Sequence, residues 1–275
     1  MPMPTPPPRD VLEAFGARTE PQLLDGGRGQ TWRAGDIVLK PVDLAVESRW
    51  RATVLDQLPE SDAFRVPRPI KAASGDWLVQ GWEACRRVAG RTDPTRWREA
   101  IATGTAFHQA IAELPRPAFL DDRDDWWSRA DRASWDAAPM DDPLLKQLAE
   151  CRVPVKADDQ VVHGDLLGNL MYEPGLPPAV IDWPPYWRPV AWSAAVAAVD
   201  AMCWNEAPID AFVSHPEEDA SLDRFESWTQ MLIRALLYRM ITDLEAARAA
   251  DRQWDPHPAY RPVVAALIYR AGSGR

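Results

Sequence analysis

The spacing of apolar residues changes once along the chain, near Gly90, and that change limits the fold more than any other feature. Before it, short β-branched or aromatic runs are cut by turns. Leu23-Leu24 precedes Asp25-Gly26-Gly27-Arg28-Gly29-Gln30-Thr31-Trp32, Ala34-Gly35-Asp36 turns the chain, and Ile37-Val38-Leu39-Lys40 follows. From Asp43 to Leu58 the residues Val46, Trp50, Val54 and Leu58 lie four apart, which predicts one helix with an apolar face, ended near Pro59. Val66-Pro67-Arg68-Pro69-Ile70 and Asp76 to Val88 then read as two further antiparallel strands on either side of a turn at Ser74-Gly75.

Beyond Gly90 the helical period dominates. Thr95 to Leu114 reads as a helix stopped by Pro115 and Pro117, and Ser221 to Ala250 as a longer one, with Leu232, Leu236, Met240 and Leu244 four apart and Ser221 as its N-cap. A strand-rich island interrupts this half: Val161-Val162-His163-Gly164-Asp165 leads into a loop, and Leu170-Met171-Tyr172 and Ala179-Val180-Ile181-Asp182 flank a turn. The expected class is therefore α+β, with two lobes: a small β-rich N-lobe over residues 11–90, a larger α-rich C-lobe over residues 91–275, and a cleft between them. Val11 to Phe15 reads as a short helix. Residues 1–10, rich in proline, read as a disordered or loosely draped tail.

Charge and cysteine content exclude several classes. With 41 acidic against 31 basic residues the chain carries a formal charge of -10, the wrong sign for neutralising a nucleic-acid backbone. The longest run free of charged residues, Ala100 to Ala112, is 13 residues, short of the roughly 20 a bilayer helix needs. Cys85, Cys151 and Cys203 are far apart with no Cys-x-x-Cys pair, and no apolar leader is seen, so a reduced, cytoplasmic protein is expected. The charge is uneven: residues 1–90 hold 12 basic and 12 acidic side chains, residues 91–275 hold 19 and 29. Nothing in the sequence speaks to oligomeric state.

The chemistry-bearing residues concentrate in the island. Asp165 and Asn169 share one loop and Asp182 closes the next strand, a set that suits phosphoryl transfer: a carboxylate to orient and deprotonate a hydroxyl, and oxygens for Mg2+ on a triphosphate. Asp and Asn also support ordinary turns. Gly26, Gly27 and Gly29 would let backbone amides approach phosphate oxygens, or simply make a hairpin. Lys40 ends an apolar strand, either exposed at its tip or paired with an anion such as a phosphate or Glu47 of the following helix.

In this order, the glycine loop, Lys40, Glu47, His163-Gly164-Asp165, Asn169 and Ile181-Asp182 resemble the aminoglycoside phosphotransferase family, small-molecule kinases with a protein-kinase-like fold. The similarity of order runs from about Leu23 to Arg270. The resemblance implies that Asp165 is the catalytic base and that Asn169 and Asp182 hold magnesium. It implies that Lys40 contacts the phosphates of ATP and pairs with Glu47, or else Asp43. It also implies that Cys85 to Gly90 is the hinge, where backbone groups around Arg86 to Val88 meet adenine. Ala106-Phe107-His108-Gln109-Ala110 resembles the family's helical leucine-histidine segment, with His108 read as a packed helix residue.

Two departures stand out. Three residues, Leu166-Leu167-Gly168, separate Asp165 from Asn169 where the family usually has four, a shortening that Gly168 could absorb. After Asp182 comes Trp183-Pro184-Pro185-Tyr186-Trp187-Arg188-Pro189 in place of glycine and a further acid, which suggests a subfamily with its own acceptor.

The expected activity is ATP-dependent transfer of the γ-phosphoryl group to a hydroxyl of a small, cationic molecule: an aminoglycoside-like antibiotic, an amino sugar or a related metabolite. The acidic runs Asp121-Asp122 with Asp124-Asp125, Asp141-Asp142 and Glu217-Glu218-Asp219 either favour such a cation or are solvated faces, and Trp126-Trp127 either caps a sugar ring or packs. Against this stand a catalytically weak, nucleotide-binding regulatory pseudokinase and a structural protein with a coincidental motif.

Overall fold

The glycine-cut runs at the start of the chain fold as a five-stranded antiparallel sheet. In the computed structural model, which describes residues 4–25, 29–136, 140–213 and 227–273, the strands are β1 (Gln22–Leu23), β2 (Trp32–Ala34), β3 (Ile37–Pro41), β4 (Leu78–Val79) and β5 (Trp82–Arg86), ordered β1-β2-β3-β5-β4. Trp32 lies opposite Leu39, and Leu39 opposite Ala84, so these three share one face. That face is buried against Val11 and Phe15, which belong to or directly follow helix α1 (Arg9–Ala14). Helix α1 begins at Arg9, within the stretch expected to be a loose tail, and Pro7 before it is buried.

Residues 66–70 do not form the expected strand. Pro67 and Pro69 have no N–H to give a ladder, so the segment touches the sheet only at isolated points, with the Ile70 N–H donating to the Ala84 carbonyl and the Arg86 N–H to that of Arg68. The run expected at 76–88 is the tight hairpin β4-β5, turned at Gln80 and Gly81, both with positive φ.

Helix α2 (Ala45–Gln57) buries a different face from the one its sequence suggests. Val46 is 52% exposed, and Trp50 and Val54 are half-buried, whereas Ser48 is buried. The polar side chains win because Arg51 Nη2 donates to both carboxylate oxygens of Glu83 on β5, at 2.8 and 2.9 Å.

The chain divides into two compact units, Met1–Thr92 with Leu170–Asp182, and Asp93–Asn169 with Trp183–Arg275. In the first, β6 (Arg91–Thr92), β8 (Leu170–Tyr172) and β9 (Ala179–Val180) form a three-stranded sheet in the order β6-β8-β9. Residues 170–182 thus group with the strand-rich unit although they follow residue 91 by some eighty positions.

The second unit holds α3 (Trp97–Ala110), a 3-10 turn (Ala118–Leu120), α4 (Trp126–Trp135), α5 (Pro143–Ala149), α6 (Val190–Trp204), α7 (Asp210–Val213), α8 (Trp228–Ala249) and α9 (Tyr260–Ser273). A two-stranded antiparallel ladder joins β7 (Gln160–His163) to β10 (Pro185–Arg188). Strand β10 is absent from the sequence expectation. Pro185 opens it, the strand position where a missing N–H costs least. Helix α6 is alanine-rich and buried from Ala191 to Cys203, and α8 packs on it with Met231, Leu232, Leu236 and Met240 buried. The first turn expected for α8, with Ser221, lies outside the described residues.

Candidate active site

In the second unit, buried β7 delivers the His-Gly-Asp segment, and three elements hold it. His163 is fully buried. Its backbone N–H donates to Nε2 of His108 on α3 at 2.9 Å, its carbonyl accepts the Ser193 hydroxyl of α6 at 2.5 Å, and its Nδ1 accepts the Asp165 N–H at 3.1 Å. His108 is therefore a packed helix residue that also fixes the strand before the loop. Burial, reinforced by His163, pushes it down to about 3, so it stays neutral and able to accept. At Gly164 a Cβ would stand 2.2 Å from the Tyr186 ring of β10, so only glycine lets that ring lie against the loop.

Both carboxylate oxygens of Asp165 are engaged. Oδ1 accepts from Arg239 Nη2 on α8 at 2.5 Å, and Oδ2 from Asn169 Nδ2 at 2.9 Å. The same Asn169 nitrogen donates to the Asp165 carbonyl at 2.7 Å, which ties the two ends of the loop together. Gly168, with φ at +89°, takes up the short spacing. Behind Arg239 lies Asp200 of α6, bound through Nε at 2.7 Å and Nη2 at 2.5 Å. Burial, only partly opposed by Arg239, pushes the Asp200 carboxyl up to about 6. The two carboxylates in turn hold Arg239 well above its ordinary value despite its burial.

In the first unit, Asp182 follows β9 with φ at +47°, a left-handed backbone that aspartate tolerates better than most residues. Its Oδ1 accepts from Lys40 Nζ at 2.8 Å. The partner of Lys40 is thus Asp182 and not Glu47, the partner expected from sequence. Glu47 meets Arg51, 3.5 Å away and one helical turn on. Although burial disfavours its charge, Glu83, Glu47 and Asp182 together keep Arg51 protonated, above its ordinary value. Arg86 and Val88 continue from the end of β5. The Arg86 and Arg87 amides donate to the Arg68 and Asp36 carbonyls, whereas among the described residues the Val88 N–H has no such partner. Gly29 has φ at +68°, and Gly26 and Gly27 lie outside the described residues.

Asn169 in the second unit and Asp182 in the first each carry an oxygen of the kind magnesium takes. Among the described residues no three His, Cys, Asp or Glu side chains gather into a cage, and a phosphate-borne ion needs none, because phosphates and water fill most of its six positions. With Nδ2 of Asn169 anchored on Asp165, its Oδ1 accepts no hydrogen bond among the described residues, and the Asp182 carboxylate is half exposed.

The acidic run at 121–125 is largely paired off. Arg116 forks Asp121 at 2.9 and 2.6 Å, Arg129 and Arg132 approach Asp124, and Asp125 accepts from Arg123 while capping α4. Asp142 caps α5, Trp126 and Trp127 pack edge to face, and Glu217, Glu218 and Asp219 lie outside the described residues.

Sequence reasoning missed Arg239, Asp200 and Arg51. For two of them a signal existed: Asp200 is the one charged residue of α6, and Arg239 stands in the apolar run of α8. A charge in such a stretch has to be paired.

Comparison with known proteins agrees with this picture. A family model described as "Phosphotransferase enzyme family" matches residues 24–185. No curated protein matches the chain in sequence. Among solved structures, choline kinase LicA from Streptococcus pneumoniae aligns with a TM-score of 0.58 at 14% identity, covering 96% of this chain and 97% of its own. A thermostable mutant of aminoglycoside phosphotransferase APH(4)-Ia, in ternary complex with ADP and hygromycin B, aligns with a TM-score of 0.56 at 17% identity, covering 97% and 99%. The microcompartment-associated aminopropanol kinase aligns with a TM-score of 0.55 at 15% identity, covering 96% and 93%. The shared fold is protein-kinase-like.

Proposed function

This chain belongs to the phosphotransferase enzyme family, and we propose that it moves the γ-phosphoryl group of ATP to a hydroxyl of a small cationic alcohol. The observation that carries the reading is Asp165: a partly exposed carboxylate at the end of a buried strand, its backbone fixed by His163 and both its oxygens held by named donors. Phosphoryl transfer asks for such orientation more than for covalent chemistry. Asp165 would align the acceptor hydroxyl and take its proton late, as the bond to phosphorus forms. Lys40 would contact the nucleotide phosphates, the glycine loop with Gly26, Gly27 and Gly29 would cover them, and Val88 and Arg86 would border the adenine. Glu47 would act through Arg51, not through Lys40. Asn169 and Asp182 would each lend an oxygen to Mg2+, which when bound neutralises charge on the phosphates. In this reading residues 11–90 bind nucleotide and residues 91–275 supply the base and bind the acceptor.

Cationic character of the acceptor is supported by the acidic excess of residues 91–275 and by the carboxylates Asp165, Asp200 and Asp243, which outnumber Arg239 around the proposed base. The run at 121–125 adds little, since arginines pair with it. Structural relatives named for choline, aminopropanol and aminoglycosides point the same way. We place the protein in the reducing cytoplasm: its three cysteines are free, and no described helix is long and apolar enough to cross a membrane.

The test is ADP formation from Mg-ATP across a panel of hygromycin B, spectinomycin, choline, aminopropanol and neutral sugars. Turnover confined to amine-bearing alcohols, with a KM that rises with salt, is expected. A best acceptor that is neutral would overturn the cationic class. Tight Mg-ATP binding with no turnover on the panel or on cell extract would favour the regulatory alternative, and no nucleotide binding at all would sink both.

A further inference from the structure

The side chain that most constrains Asp165 comes from α8, seventy-four residues further along the chain. We infer that Arg239 is a positioning residue for the proposed base: braced by Asp200, its guanidinium fixes the direction of the Asp165 carboxylate and offsets that carboxylate's repulsion of the incoming phosphoryl group. This rests on the reading of Asp165 as the base.

Three observations lead there. The first is the shape of the contact. Arg239 forks the buried Asp200 through Nε and Nη2, and the same Nη2 reaches Asp165. A guanidinium is planar and its donors are fixed relative to one another, so anchoring one edge on α6 dictates where the third hydrogen bond points. The second is the gradient of exposure, with side chains 7% exposed at Asp200, 12% at Arg239 and 41% at Asp165. A purely structural ion pair would be complete with Asp200 alone, and such buried pairs contribute little that apolar residues could not. Here the cation also extends to the one carboxylate of the three that solvent, and hence an acceptor, reaches.

The third observation is charge. The loop His163-Gly164-Asp165-Leu166-Leu167-Gly168-Asn169 contains no lysine or arginine, and among the described residues Arg239 is the cation bonded to Asp165. A carboxylate beside a triphosphate meets strong like-charge repulsion, and a fixed cation at its side reduces it without any reorganisation at the moment of transfer.

The experiment compares R239A, R239K, D200N and D165N by ADP formation from Mg-ATP, with hygromycin B, choline and aminopropanol each as acceptor and with water alone. R239A should lose on the order of 10²-fold in kcat, the scale of a misplaced catalytic group, with KM for Mg-ATP nearly unchanged. Methylguanidine should restore part of that loss in R239A and none in D165N. R239K keeps the charge but cannot fork two carboxylates, so it should stay well below wild type, and D200N should fall by about tenfold as the brace loosens.

A kcat for R239A within twofold of wild type, while D165N is inactive, would overturn the inference and leave the base assignment standing. An active D165N would instead overturn the base assignment. Full activity in R239K would show that charge alone suffices and refute positioning. Should R239A fail to fold, R239K and R239Q carry the comparison, read also by the side-chain N–H resonances of Arg239 in nitrogen-15 NMR. Those signals should shift in D165N, and signals that do not move would refute the contact.

Discussion

Asp165 and Asp182 are both carboxylates proposed for one reaction, yet they are held by opposite means. Asp165 sits where four parts of the second unit converge: α3 through His108, α6 through Ser193 and Asp200, α8 through Arg239, and its own loop through Asn169. Asp182 relies on a left-handed backbone and on Lys40, whose flexible stem supplies a point charge. Side chains from several elements thus hold the group proposed to orient an acceptor, whereas the group proposed to meet an exchangeable ion pairs with a flexible, yielding lysine. A base must not wander by an ångström, and in the proposed reading Asp182 would exchange its lysine for the ion.

The sharpest way to break this contrast is D165N, which should lower turnover by about 10²- to 10⁴-fold while calorimetry finds Mg-ATP binding nearly intact. Near wild-type turnover would end any distinction between the two carboxylates. D182A acts on the other side of it. At a hundredfold excess over Kd a bound ligand stabilises by about 2.7 kcal/mol, and the part of the ATP-induced rise in Tm that disappears in EDTA should be missing from this variant. A D182A protein whose rise still depends on magnesium would take that residue out of metal binding.

The support behind Asp165 has its own acid limit. His108 is near 3 when folded and near 6.5 when unfolded, so the unfolded chain binds the extra proton throughout that window. Stability from this histidine is complete above about pH 6.5 and is lost on acidification towards 3, at up to about 1.4 kcal/mol per pH unit. H108N should flatten that part of the urea-unfolding profile against pH, and an unaltered profile would show that the buried imidazole is not responsible. R116A should do least. The Arg116–Asp121 pair is exposed on both sides and screened by water, so losing it should leave the urea midpoint nearly unchanged. A marked drop would mean that the paired run at 121–125 is more than a solvated edge.

Legibility in the sequence follows the range of the interactions. The hairpins, α3 and the island around His163 were readable because turn chemistry and apolar period are local. Lys40, Asp165 and Asp182 stood out as candidates because short motifs carry them. The inner face of α2 was misread, since its decisive contact, Arg51 to Glu83, crosses thirty-two residues and reverses what amphipathicity alone would choose. The pairing of Lys40 failed for the same reason: the competing carboxylate lies 142 residues away. Arg239 and Asp200 were invisible to motif reasoning, although Asp200 is the lone charge of an apolar helix and Arg239 stands in an apolar run, so each had to be paired.

The three-stranded sheet β6-β8-β9 also sets an order in time. A nascent chain that has reached Thr92 carries β6 but neither of the other two strands of that sheet, which arrive only with residues 170–180. At roughly 5–20 residues per second the ribosome takes about 4–18 s to cover that interval. During it the edge of β6 is unpaired and most of the helical unit's first segment is already outside. The strand-rich unit is thus begun first but completed only after the helical unit's first segment has been made, and Asp182 reaches Lys40 only at the close of that delay.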